Sequence, residues 1–251
     1  MIPYRLSLAG GWIDQPFVSR HDPEPPGSMV VVSLEPRHPF MDRSGFATST
    51  RATAARLWGN DLPAGDPAAL MRELYAEENK DKSDPSGSQD MAGLFYPGIS
   101  RLDYDFKVEG GVFPARVEST TDPGVVAWLE KVVWLIPVAP RPEGYSPLGT
   151  KNLDPQWIRW LGRSGKDCYD AILGKNIVAL GASMNMCMAC WEAILPHTVR
   201  HPAIHTDLKA MLSDYQSWYP GAMYSGCGGG YLIVVSEETI PIGLKVKVRT
   251  R

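Results

Sequence analysis

Residues Met223 to Val235 read MYSGCGGGYLIVV, with Gly226, Gly228, Gly229 and Gly230 crowded directly before an apolar run. Bare backbone of this kind serves one of two ends. Successive N–H groups converge on an anion, or two chain segments approach more closely than side chains allow. A tight turn packed against a neighbour is the commoner use before a strand. In either case Tyr231–Ser236 reads as a buried strand.

The chain has 251 residues, 44% of them hydrophobic and 21% charged, which suffices for one large domain or two smaller ones sharing a core. The net charge of -3 and the lack of a basic run give nucleic acid no reason to bind. No basic segment followed by a sustained apolar one opens the chain, and no uninterrupted apolar stretch approaches a bilayer span, so the expectation is a cytoplasmic protein without a membrane partner. Four scattered cysteines, Cys168, Cys187, Cys190 and Cys227, are expected as reduced thiols.

Arg5–Leu8 and Met29–Leu34 read as strands. A helix follows the Ser/Thr cluster at Thr48–Thr50, and DPAALMRELYAEE opens another with a capping Asp66 and Pro67. Asp90 starts a short helix that leads to a strand pair around Gly110–Gly111. Asp122–Lys131 reads as a helix, Val132–Val138 as a buried strand, Pro155–Leu195 as mostly helix and Asp207–Ser217 as a further helix. Ile242–Val248, with alternating lysines, has the pattern of an edge strand.

Two segments beyond the glycine stretch bear on chemistry. In DRSGFATSTRA, residues 42–52, a Gly and hydroxyl residues lead straight into a helix, whose N-terminal amides and dipole favour phosphate, with Ser49 or Thr50 as a metal ligand. The competing use of the same residues is ordinary N-capping. Glu78 and Asp90 flank a Gly-containing loop; one carboxylate could hold Mg²⁺ on nucleotide phosphates and the other accept a proton, although a lone acid is usually a solvated surface group.

The order RLSLAGGWID, SGFATST, EN…SGSQD and MYSGCGGG resembles the GHMP kinase superfamily, in particular its sugar-kinase branch of heptose-phosphate kinases, fucokinases and galactokinases. The resemblance implies an α+β fold of two domains, 1–125 and 126–251: an N-terminal half like domain 2 of ribosomal protein S5 and a ferredoxin-like C-terminal half. It implies an ATP-dependent phosphotransferase that uses Mg²⁺ and a sugar or sugar-phosphate acceptor, with room for a homodimer. Asp90 would be the general base with Arg5 beside it. Gly45, Thr48, Ser49, Thr50, Gly226, Gly228 and Gly229 would embrace the nucleotide, and Ser49 and Glu78 would hold the metal. Asp14, with Trp12 and Gly11, would face the acceptor.

The chain departs from the pattern in places. Ala47 stands where the superfamily carries Gly, Met91 where sugar kinases have Gln, and Met223 where Lys is frequent; the interval from Asp14 to Gly45 is short. These departures motivate an alternative, a catalytically weak or inactive sugar-binding or regulatory relative. A third reading is a related kinase acting on a smaller alcohol such as homoserine or mevalonate. Cys187, Cys190, His197, His201 and His205 invite a zinc site, but the two cysteines at i, i+3 on a helix are ordinary core residues. Trp157, Trp160 and Trp191 are expected in the core.

Overall fold

Short apolar runs bounded by Gly and Pro become the strands of two antiparallel sheets in the computed structural model, which describes residues 1–37 and 39–251. The first sheet has the order β1 (Tyr4–Ser7), β2 (Gly27–Leu34), β3 (Ile99–Tyr104), β4 (Arg116–Thr120). All eight residues of β2 are buried. Its central place explains this: β1 and β3 flank it, and helices α4 (Gln89–Phe95) and α6 (Pro155–Leu173) pack on it. The remaining N-terminal helices are α1 (Pro16–Ser19), α2 (Thr48–Trp58) and α3 (Pro67–Asn79).

Helix α5 (Pro123–Val132) runs directly into β5 (Val133–Ala139) of the second sheet, whose order is β6 (Gly221–Gly226), β7 (Gly229–Val235), β5, β8 (Leu244–Lys245). Helix α7 (Ile177–Ile194) packs on α6 and β6, and α8 (Leu208–Trp218) also packs on β6. The proposed domain division at 125/126 falls inside α5, which separates the two sheets in sequence.

Helix α6 joins the halves through a close approach to β2. A Cβ built on Gly165 would lie 1.9 Å from the Ser28 carbonyl oxygen, so only Gly allows the helix to sit this near the strand. Gly165→Ala is expected to destabilise the protein by about 1–3 kcal/mol or more, because overpacking against backbone has no side chain to displace. A lowered urea midpoint at unchanged m-value checks this, and an unchanged midpoint contradicts it.

Three sequence expectations change. The glycine stretch is not a loop up to Tyr231: β6 continues to Gly226 and pairs with β7, so only Cys227 and Gly228 turn the hairpin. Strand period is hard to see in GAMYSG because small residues give it no alternation. The last segment contributes only Leu244–Lys245 to the sheet, while Val248 bridges to Leu34 of the first sheet. Finally, α7 is long and apolar enough to cross a membrane by length and composition, contrary to the expectation of no such stretch; half of it is buried inside the fold.

Candidate active site

Arg5 lies on β1, where all four residues are buried, so its guanidinium must find partners within the protein. It donates through Nη1 to the Gly45 carbonyl at 3.1 Å and pairs through Nη2 with Oδ1 of Asp90. Asp90 sits in the first turn of α4, where the helix dipole favours a carboxylate. Gly93 on the same helix leaves space for Arg5: a Cβ there would lie 2.0 Å from Arg5 Cγ. The Thr50 hydroxyl donates to the other Asp90 oxygen at 3.4 Å. Burial, opposed by Asp14, pushes the Arg5 pKa down to about 10, so the guanidinium is charged at neutral pH.

The N-terminus of α2 lies beside this pair. Helices α3, α5, α6, α7 and α8 are each capped by an Asp or Asn side chain, whereas α2 follows Ala47 and has no side-chain cap. Its hydroxyls are turned elsewhere. Thr48 Oγ1 accepts from the Arg43 amide, Ser49 donates to Glu78 Oε1, and Thr50 reaches Asp90. The capping use of this cluster is therefore absent, and the first-turn amides at Thr48, Ser49 and Thr50 have no hydrogen-bond partner among the described residues. Ala47 reaches this geometry in the left-handed region, φ 57°, a conformation that glycine adopts at lower cost.

Glu78, in the last turn of α3, is nearly fully buried. Its Oε1 is shared by Ser49 and Lys82, both at 3.3 Å, and its Oε2 has no partner. A buried carboxylate oxygen left unpaired beside a hydroxyl is a fitting donor set for a hard cation such as Mg²⁺.

The glycine hairpin packs on the loop before α2. A Cβ on Gly45, φ 83°, would lie 2.2 Å from the Ser225 carbonyl oxygen, and one on Gly230 would lie 2.3 Å from the Ser44 carbonyl oxygen. Close approach of two backbones thus accounts for much of the glycine content. Gly226 lines the resulting cavity. Gly228, at the turn, and Gly229, at the start of β7, lie outside it, against the Tyr145 ring and the Ala139 carbonyl.

The cavity, about 190 Å³, brings together Arg5, Gly11, Trp12, Gly45, Asp90 and Gly226 of the expected residues. Trp12 donates from Nε1 to Cys227 Sγ at 3.2 Å, and Trp191 donates from Nε1 to the Gly11 carbonyl at 2.9 Å. Trp191, expected in the core, is buried but forms part of this wall. Trp157 and Trp160, expected in the core, are half-buried against it and meet each other edge to face. Arg141, Ser225 and Gln89 also line the cavity and were not singled out from the sequence. Gln89 lies within the SGSQD segment and could have been found there; Arg141, in a Pro/Gly-rich loop without periodicity, carried no such signal.

Asp14 does not line this cavity. It is fully buried, accepts from Gln89 Nε2 at 3.1 Å through Oδ1, and has no partner on Oδ2. The loop at Gly87 covers it so closely that a Cβ there would lie 1.7 Å from Oδ2. Asp14 borders a neighbouring cavity of about 330 Å³ together with Phe17, Tyr75 and Phe106. Burial raises its pKa to about 6. Cys187 and Cys190 are core residues, and among the described residues no group of three or more His, Cys, Asp or Glu is placed to hold a metal ion.

No family model matches the chain, and no curated protein matches it. Solved structures do. A mevalonate kinase is similar with a TM-score of 0.58 at 10% identity, covering 100% of this chain and 98% of that one. A D-glycero-D-manno-heptose 1-phosphate kinase from Bacteroides thetaiotaomicron gives 0.55 at 12% identity, covering 99% and 96%. A putative sugar kinase from Campylobacter jejuni gives 0.59 at 12%, covering 100% and 94%. At these identities the likeness is one of fold: over its whole length the chain shares an α+β fold with these solved structures.

Proposed function

We propose that the chain is an ATP-dependent kinase of the GHMP type that transfers the γ-phosphoryl group to a hydroxyl of a sugar or sugar phosphate. One observation carries this reading most: the uncapped N-terminus of α2 opens beside the Arg5–Asp90 pair, with the hydroxyls of Ser49 and Thr50 turned to Glu78 and Asp90. Phosphoryl transfer needs positioning and neutralisation of charge more than covalent help, and these groups supply both.

In this mechanism Gly45 and the first-turn amides at Thr48, Ser49 and Thr50 bind the nucleotide phosphates, with Gly226 closing the opposite wall. Ser49 and Glu78 are the residues that would hold Mg²⁺, which when bound neutralises charge on the phosphate oxygens. An acceptor hydroxyl in the cavity passes its proton to Asp90 as its oxygen bonds to phosphorus and ADP departs. Arg5 orients Asp90 and keeps a positive charge beside it. Trp12, Gly11 and Trp191 bound the acceptor space, and Asp14 acts on it through Gln89, which lines the cavity and donates to Asp14. Gly228 and Gly229 serve the nucleotide site by shaping the hairpin.

Coupled ADP release over hexoses, heptoses, their phosphates, homoserine and mevalonate tests the reading, with turnover expected for a sugar or sugar phosphate. The short interval between Asp14 and Gly45, whose described residues form only the elements α1 and β2, supports the second reading of a non-catalytic sugar-binding relative. Ligand-induced stabilisation without turnover would favour that second reading.

Glu78→Gln is expected to raise the Mg²⁺ concentration for half-maximal activity by roughly 10- to 100-fold, by analogy with the loss of groups that tune a metal site. Titration of Mg²⁺ at fixed ATP checks this. An unchanged requirement would remove Glu78 from the metal site.

A further inference from the structure

Among the residues that line the 190 Å³ cavity, two guanidiniums, Arg5 and Arg141, face one carboxylate, Asp90. Arg5 is engaged by Asp90 and by the Gly45 carbonyl. Arg141 is not. Its backbone amide is tied to the Arg43 carbonyl at 3.2 Å, which fixes the base of the side chain against the loop that precedes α2. The side chain then extends to the glycine hairpin, where a Cβ on Gly226 would lie 2.7 Å from Arg141 Nη2. Its guanidinium makes no hydrogen bond or ion pair with any described residue, and its Nε is buried without a partner. Arg5 feels the like charge of Arg141, which opposes its own protonated form.

An uncompensated guanidinium with a buried N–H, fixed at the seam between a helix N-terminus loop and a glycine hairpin, lacks its natural complement, a planar or tetrahedral oxyanion. We propose that Arg141 is a phosphate-binding residue of this cavity. Phosphate oxygens accept from its Nε and Nη groups, and Arg5, already committed to Asp90, adds field without direct contact. The proposal deepens the kinase reading and rests on it for the two sources of phosphate: the transferring γ-phosphoryl group, or a phosphate carried by the acceptor. Both present the same chemistry to Arg141.

Calorimetric titration of the intact protein with inorganic phosphate, without nucleotide, tests the site apart from turnover. Wild type is expected to bind, and Arg141→Gln to lose about tenfold or more in affinity, the worth of a charge-assisted hydrogen bond. Arg141→Lys, which keeps the charge but not the fork, should recover part of the loss. Since the side chain pairs with no described residue, both variants should keep the wild-type melting temperature, and melting curves verify this.

Two further titrations identify the source. Lost affinity for hexose phosphates, with free hexoses and ADP–Mg²⁺ unaffected, assigns Arg141 to the acceptor. Lost affinity for a non-hydrolysable ATP analogue relative to ADP assigns it to the γ-phosphoryl group. If inorganic phosphate does not bind wild type, or binds a folded Arg141→Gln protein equally well, the proposal is overturned. That result is distinct from failure of the kinase reading, which would appear as phosphate binding without ADP release.

Discussion

Asp90→Asn is expected to lower kcat with the best acceptor by about 10²–10⁴-fold, the usual contribution of a positioned general base. The change keeps an oxygen that can accept from Arg5, so the buried guanidinium is not left wholly without a partner. It removes the site to which the acceptor proton goes. Nucleotide affinity, which depends on the α2 amides and on Ser49 and Glu78, should change little. Loss of kcat at nearly constant ATP affinity, in a protein with an unaltered circular dichroism spectrum, is therefore the expected pattern. A variant that retains wild-type kcat would require another base, and the described cavity lining offers no second carboxylate.

Asp14→Asn should make the protein more stable at neutral pH. Burial raises the Asp14 carboxyl from its ordinary 3.8 to about 6 in the folded state. A group whose folded pKa lies above its unfolded one supports the native state while protonated. That support is complete below about pH 4 and is lost as the pH rises through about 6. At about 1.36 kcal/mol per pKa unit, the difference amounts to about 3 kcal/mol, carried above pH 6 as the cost of a buried charge with one unpaired oxygen. Asn bears no such charge. Urea unfolding at pH 4, 5, 6 and 7.5 should show the variant's advantage growing from small to about 3 kcal/mol across that range. A pH-independent difference would contradict the account. A stable but weakly binding variant would mean that Asp14 is kept ionisable for its role with the acceptor, at the expense of stability.

Much of the scaffold was legible because its signals are local. Asp66 announces helix α3 through a cap that forms as expected, and the helices read from Asp122 and Asp207 onward form as α5 and α8, capped by those two residues. The β-branched run at Met29–Leu34 becomes β2, buried throughout, and that at Val132–Val138 becomes β5 from Val133 on, buried to Ile136 and more open beyond, with Val132 closing helix α5. The site was legible only in part. The meeting of Ser49 with Glu78, and of Arg5 with Asp90, joins residues far apart in sequence that the family resemblance paired in advance.

What stayed hidden is what depends on tertiary packing. The burial of Asp14 under Gly87 comes from a loop whose composition reads only as polar linker. Trp191 has the helical spacing of a core residue, and burial and cavity lining look alike at that level. Arg141 sits in a loop without period, and tertiary packing alone brings it to the cavity that Arg5 lines. The glycine stretch combined two meanings. Gly226 opens the cavity wall, whereas Gly228 to Gly230 let the hairpin press against neighbouring segments.

A crystal structure of the protein with Mg²⁺ and a non-hydrolysable ATP analogue would show where the nucleotide binds. Triphosphate oxygens are expected on the first-turn amides of α2, a cation between Ser49 and Glu78, and the terminal phosphoryl group facing Asp90. A nucleotide bound elsewhere, with the α2 N-terminus and Glu78 both free of it, would contradict the account.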